Sequence, residues 1–189
     1  TRDADKVRAV LEHGILFENP PPVEAVPPPS LLPALGVKQA ARAYTMEDSL
    51  VLLGRALEPL PGAKSIVYIG HGFGRLIGSR VYAEPSYAEA RRRLQAARAS
   101  VFCIDVTDAA SHSLDAGLQV TAKDTGGLFL RTNEFAEQAI SRVAGALAGH
   151  YVLFIEVTTP TGRRIHDLEV GLAGIDNGHV LARRSFGGE

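Results

Sequence analysis

The chain has 189 residues, 46% of them hydrophobic and 22% charged, with a formal net charge of −1. This is ordinary globular composition and enough length for one well-buried domain. The near-neutral balance does not favour nucleic acid or an anionic membrane surface as the main partner, and no run of 18 apolar residues supplies a transmembrane helix.

Taken in order, residues 3–13 predict a short helix, with Val7, Val10 and Leu11 on one face and Gly14 to end it. The chain starts at Thr1 without Met or a secretory leader pattern, as expected of a processed form or fragment. After the brief apolar run Ile15–Phe17, seven prolines fall between Pro20 and Pro33. Proline lacks an N–H donor and fixes φ, so residues 18–35 are expected to lack regular structure and to lie on the outside. The segment reads as a spacer, the alternative being a polyproline ligand for a partner domain.

Thr45-Met-Glu-Asp48 has the form of a capping box. Leu50, Leu53 and Leu57 then mark the inner face of a helix to about Glu58. Pro61-Gly62 turns the chain into Ile66–Ile69, an unbroken β-branched and aromatic run that suits a strand of a covered parallel sheet. This strand runs into Gly70-His71-Gly72-Phe73-Gly74-Arg75. Ligands of open α/β sheets bind beyond the carboxyl ends of the strands, so residues 70–75 are the first candidate site.

Residues 75–86 have no period and read as an exposed loop. A helix from Tyr87 presents Tyr87, Ala90, Leu94 and Ala97 on one face, with Arg91, Arg92 and Arg93 mostly toward solvent. Val101–Ile104 is a second buried strand, closed by Asp105 and Asp108. Its Cys103 is the only cysteine, which excludes an intrachain disulfide and reads as an inert buried thiol. Residues 114–122 predict a helix with Leu114 and Leu118 inward, 123–127 a turn, and 128–130 a third strand. A further helix from about Asn133 to Gly149 carries Ala136, Ile140, Val143 and Leu147 on one face. From Tyr151 the period changes: strands at 151–157, 165–172 and 180–186 predict an antiparallel meander.

Known chemical motifs fail one by one. The dinucleotide fingerprint needs a third glycine where Arg75 stands, and there is no P-loop. Asp124-Thr125-Gly126 is a single copy without a preceding hydrophobic strand, so it reads as a turn and not as an aspartic protease motif. No nucleophile elbow, His-Glu-x-x-His or Cys/His cluster occurs. His150, His166 and His179 are scattered over the meander and read as surface or core histidines. Asp105 and Asp108 offer carboxylates at a strand end, with helix capping the plainer role.

Residues 45–186 together resemble the von Willebrand factor A fold, in particular the bacterial family described as VWFA-related. The resemblance is carried by Thr45 with Leu50–Leu57, by Pro61-Gly62-Ala63-Lys64 leading into Ser65–Ile69, by Val101–Asp105, by Ala122–Gly127 with its Thr-Gly-Gly, and by His150–Phe154 and Val180–Phe186. It implies an α/β fold: a Rossmann-like sheet with flanking helices plus the C-terminal meander. The chain then divides into an N-terminal helix and Pro-rich segment (1–44) and an A-type domain (45–189).

The resemblance also implies a secreted or periplasmic protein with a binding or adhesion role. The family's metal site uses Asp-x-Ser-x-Ser, a Thr and a further Asp. Here Asp-x-Ser-x-Ser is absent, His71 stands at the second Asp position, and only Thr45 matches. No metal and no cofactor is therefore expected, because Mg²⁺ and Ca²⁺ need several oxygen ligands. The expected function is a non-enzymatic module that binds a protein partner or itself through Thr45, His71, Gly72, Phe73, Gly74, Arg75, Asp105 and Asp108. The alternative is an α/β enzyme using the 70–75 loop, with His71 as base near Asp105.

Overall fold

The structure is a computed structural model that describes residues 5, 8, 31–108, 112–132, 136–154, 165–175 and 178–187. Among these, the core is a parallel sheet of three strands, β1 (Lys64–Gly70), β4 (Ala99–Asp105) and β5 (Phe129–Arg131), in the order β1-β4-β5. The pairing runs Lys64 with Ala99 through Gly70 with Asp105, and Cys103 with Phe129 through Asp105 with Arg131. The three strands expected to be parallel are parallel, and the central β4 is covered on both faces as its apolar run requires. Strand β1, expected to be buried on both faces, instead alternates, with Val67 and Ile69 exposed, because it is the edge strand.

Three helices cover one face. Helix α3 (Met46–Leu57), α4 (Tyr87–Ala96) and α5 (Asp115–Thr125) bury Leu50, Val51, Leu57, Ala90, Leu94, Leu118 and Ala122 against Val101 and Cys103 of β4, with Ile66 and Tyr68 of β1 at the margin. Helix α6 (Ala136–Leu147) covers the other face through Ala139 and Val143, which meet Phe102, Ile104 and Leu130. The face expected for α6 is therefore rotated: Ile140 and Leu147 are exposed. The small Ala139 and Ala146 let the helix lie close to the sheet where larger side chains would hold it off.

The capping box forms as expected. The Thr45 hydroxyl accepts from the Asp48 N–H at 3.1 Å, satisfying one of the free donors of the first turn. Helix α5 runs further than expected, to Thr125, so residues 123–125 are helix and not turn. Gly126, at φ 74°, then ends it in the left-handed region that glycine adopts without strain. The third strand starts at Phe129, one residue later than expected.

Residues 75–86 are not simply a loop. Arg75–Ile77 (β2) and Arg80–Tyr82 (β3) form an antiparallel hairpin. Its strands are three residues each and mostly exposed, too short and too little buried to leave a periodic signal. The Pro-rich segment ends in two single-turn helices, α1 (Leu32–Leu35) and α2 (Val37–Ala40). The expectation of no regular structure thus fails at 32–35, and Leu31 packs against the main core. The rest of that segment lies outside the described residues, as does the predicted first helix except for Asp5 and Arg8, which are helical.

The C-terminal part is antiparallel but smaller than a three-stranded meander. Ile165–Asp167 (β6) pairs with Ser185–Gly187 (β7), and His166 stacks on Phe186 with ring centroids 5.1 Å apart. Tyr151–Phe154 are in no strand and are exposed; residues 155–157 lie outside the described residues.

Candidate functional site

The carboxyl ends of β1 and β4 lie side by side, Gly70 against Asp105. Asp105 is buried, 1% exposed, and both its oxygens are engaged. The Thr107 N–H donates to Oδ1 at 3.0 Å, and His112 Nε2 lies 2.8 Å from Oδ2. Burial pushes the Asp105 carboxyl up, but the Thr107 and His112 contacts outweigh it, so the group is held below its ordinary value. The Asp105 carbonyl accepts from the Thr132 N–H at 2.9 Å. Beside this pair, Arg131 and Asp115 form a salt bridge, with the Arg131 guanidinium over the Phe129 ring.

The glycine loop is committed to packing. The Phe73 N–H donates to the Leu114 carbonyl at 3.2 Å, and a Cβ on Gly72 would overlap that same carbonyl. A Cβ on Gly117 would likewise overlap the Phe73 carbonyl. Glycine is thus required on both sides for the loop to lie on the start of α5. Phe73 is half-buried and meets Tyr68 edge-on, with centroids 6.0 Å apart. The Tyr68 hydroxyl donates to the His71 carbonyl at 2.9 Å. His71 itself is exposed, its Nδ1 3.2 Å from the Thr107 hydroxyl.

Of the eight candidate residues, His71, Arg75 and Asp108 are exposed. Gly72, Phe73 and Gly74 are partly covered, and Arg75 opens β2. The expected neighbourhood of Asp105 differs in one respect: its histidine partner is His112, not His71. Among the described residues Thr45 is hydrogen-bonded to none of the other seven; its hydroxyl accepts from the Asp48 N–H. The adjoining helix α3 places Glu47, 1% exposed, where its Oε1 accepts from the Glu84 N–H at 3.2 Å. Glu47, Phe73, Gly74, Val81 and Tyr87 line a small, mainly apolar pocket of about 70 Å³, below the size of ordinary ligand sites.

Sequence reasoning missed His112 and the Asp115–Arg131 pair. The one available signal was a histidine seven residues beyond the strand-end Asp105, ahead of a helix. Among the described residues, no three His, Cys, Asp or Glu side chains are grouped so as to hold a metal ion. No family model matches the chain, and neither a curated protein nor a solved structure matches it.

Proposed function

We propose that the chain is a non-enzymatic protein-interaction module of von Willebrand factor A type without a working metal site. The reading is carried by one contrast at the sheet end. The buried polar groups there satisfy one another, while the strand that leads into the glycine loop is bare on its outer face: Val67 is 43% and Ile69 59% exposed. Exposed apolar side chains flanked by polar tips mark protein-binding surfaces. His71 and Asp108, exposed at the ends of the two paired strands, then supply polar groups of the contact. The A-type assignment rests on the sequence resemblance; the parallel sheet with flanking helices is compatible with it. The family resemblance suggests a secreted or periplasmic setting.

A second reading, an α/β enzyme, is favoured by one observation. Buried Asp105 orients His112, whose side chain is 19% exposed, in the manner of a carboxylate holding a general base. The base would then be His112, and no serine, threonine or cysteine hydrogen-bonded to it is present among the described residues. Paired variants separate the readings. Under the module reading, His71→Ala weakens the affinity for a captured partner by about tenfold, as at an interface hot spot, and His112→Ala abolishes no turnover. Loss of turnover in His112→Ala, with partner binding unchanged in His71→Ala, would sink the module reading.

A further inference from the structure

We propose that the outer edge of β1 pairs with β1 of a second copy of this chain, antiparallel and centred on Val67. This rests on the interaction-module reading and names the partner and the surface.

Strand β1 is the long edge of the sheet. All seven of its residues are at least partly exposed, whereas six of the seven in β4 are buried. The direction of its peptide groups follows from its two ends. The Lys64 N–H donates to the Arg98 carbonyl, and the Gly70 carbonyl accepts from the Val106 N–H, both on the β4 side. With a period of two, Ile66 and Tyr68 also face β4. Ser65, Val67 and Ile69 therefore turn their N–H and C=O groups outward, and no described residue pairs with them. Native edges of this length are normally guarded by a central charge, a proline or a bulge. Residues 65–70 contain none of these.

What selects a second copy is the self-complementarity of the edge. Laid antiparallel about Val67, Ser65 of one copy faces Ile69 of the other, Val67 faces Val67, and Ile69 faces Ser65. All three residues with outward peptide groups thereby enter hydrogen-bonded pairs. Ile66 faces Tyr68, a favourable β-branched and aromatic pair. The one charge, Lys64, falls opposite Gly70, so no like charges meet. The Lys64 ammonium is already held on its own chain by the Leu60 and Ala97 carbonyls at 2.5 and 2.7 Å. The contact is two-fold symmetric and closes, giving a six-stranded sheet without an open β1 edge. Val67 and Ile69 from both copies then meet across the axis on the face that α6 leaves bare.

Sedimentation analysis of the purified full chain at micromolar concentration tests this. The expected mass is twice that of one chain. Val67→Lys and Val67→Glu alone sediment as monomers with unchanged circular dichroism, because the side chain at 67 points to solvent in the monomer. Mixed in equal amounts, the two variants recover the doubled mass, since opposite charges then face each other. A second readout does not depend on those variants. Val67→Cys cross-links into a covalent dimer on mild oxidation, the native Cys103 being buried. A monomeric wild-type chain, a dimer that survives Val67→Lys, a mixture that stays monomeric, or no cross-link would each overturn the proposal. A monomer that still binds another protein through His71 would overturn it and leave the module reading standing.

Discussion

Thr125 shows how one hydroxyl completes a sheet. Strand β5 starts only at Phe129, so the Val101 N–H in the central strand has no strand partner on that side. The Thr125 hydroxyl accepts from it at 2.9 Å and donates to the Thr121 carbonyl at 2.8 Å, fully buried. Thr125→Val keeps the shape and removes the acceptor. The expected loss is about 1–3 kcal/mol, the cost of an unsatisfied buried donor, read from urea unfolding; an unchanged midpoint would contradict this role. Asp105 makes a second prediction. Its folded-state pKa is lowered, so the stability it contributes is fully present above the ordinary value of 3.8 and is lost as pH falls through the lower folded value. Unfolding measured at about pH 6 and about pH 3 should show a smaller acid loss in Asp105→Asn than in the wild type. Equal losses would show that the carboxylate is not the group responsible. Asp105 was legible in the sequence as a strand-end carboxylate, but its partners were not, and Thr125 was not legible at all. Thr125 lay in a Thr-Gly-Gly stretch that reads as a turn, and the partners of Asp105 are set by where α5 begins, which no local pattern encodes.

At the scale of elements, legibility followed burial. Strand β4 and helices α3 and α4 were readable because their apolar spacing is dictated by a covered sheet. Strand β1 was readable as a parallel strand, but its outer face is bare where its apolar run had suggested cover. Thr45 was readable because a capping box is a local pattern. The β2–β3 hairpin was not, because its short strands cover little and carry no alternation. The buried face of α6 was misread because alanines, not the larger Ile140 and Leu147, meet the sheet. The glycine loop was located correctly as the end of β1; within it Gly72 packs against the residue that precedes α5, while Gly74 lies against the β2–β3 hairpin. Gly72→Ala should therefore push the loop off the start of α5 and destabilise the fold by about 1–3 kcal/mol, the usual cost of overpacking, while Gly62→Ala, with open space around its Cβ position, is the comparison at a left-handed turn. If Gly72→Ala costs less than Gly62→Ala, the packing role of the loop is wrong.

For the whole molecule, the parallel sheet brings the carboxyl ends of β1 and β4 together and thereby sets the candidate site at one end. Its polar groups are bound to one another: Asp105 to Thr107 and His112, Asp115 to Arg131, Thr45 to Asp48. His71, Arg75 and Asp108 remain exposed, and on the proposed reading they serve a protein contact; a hard cation would need converging free oxygens. Titration calorimetry of the purified chain with Mg²⁺ and Ca²⁺ tests this commitment of the sheet-end oxygens most directly. The predicted result is no saturable binding. Micromolar binding that disappears in Thr45→Ala or Asp105→Asn would contradict it, and would mean that these oxygens can leave their present partners to hold a metal.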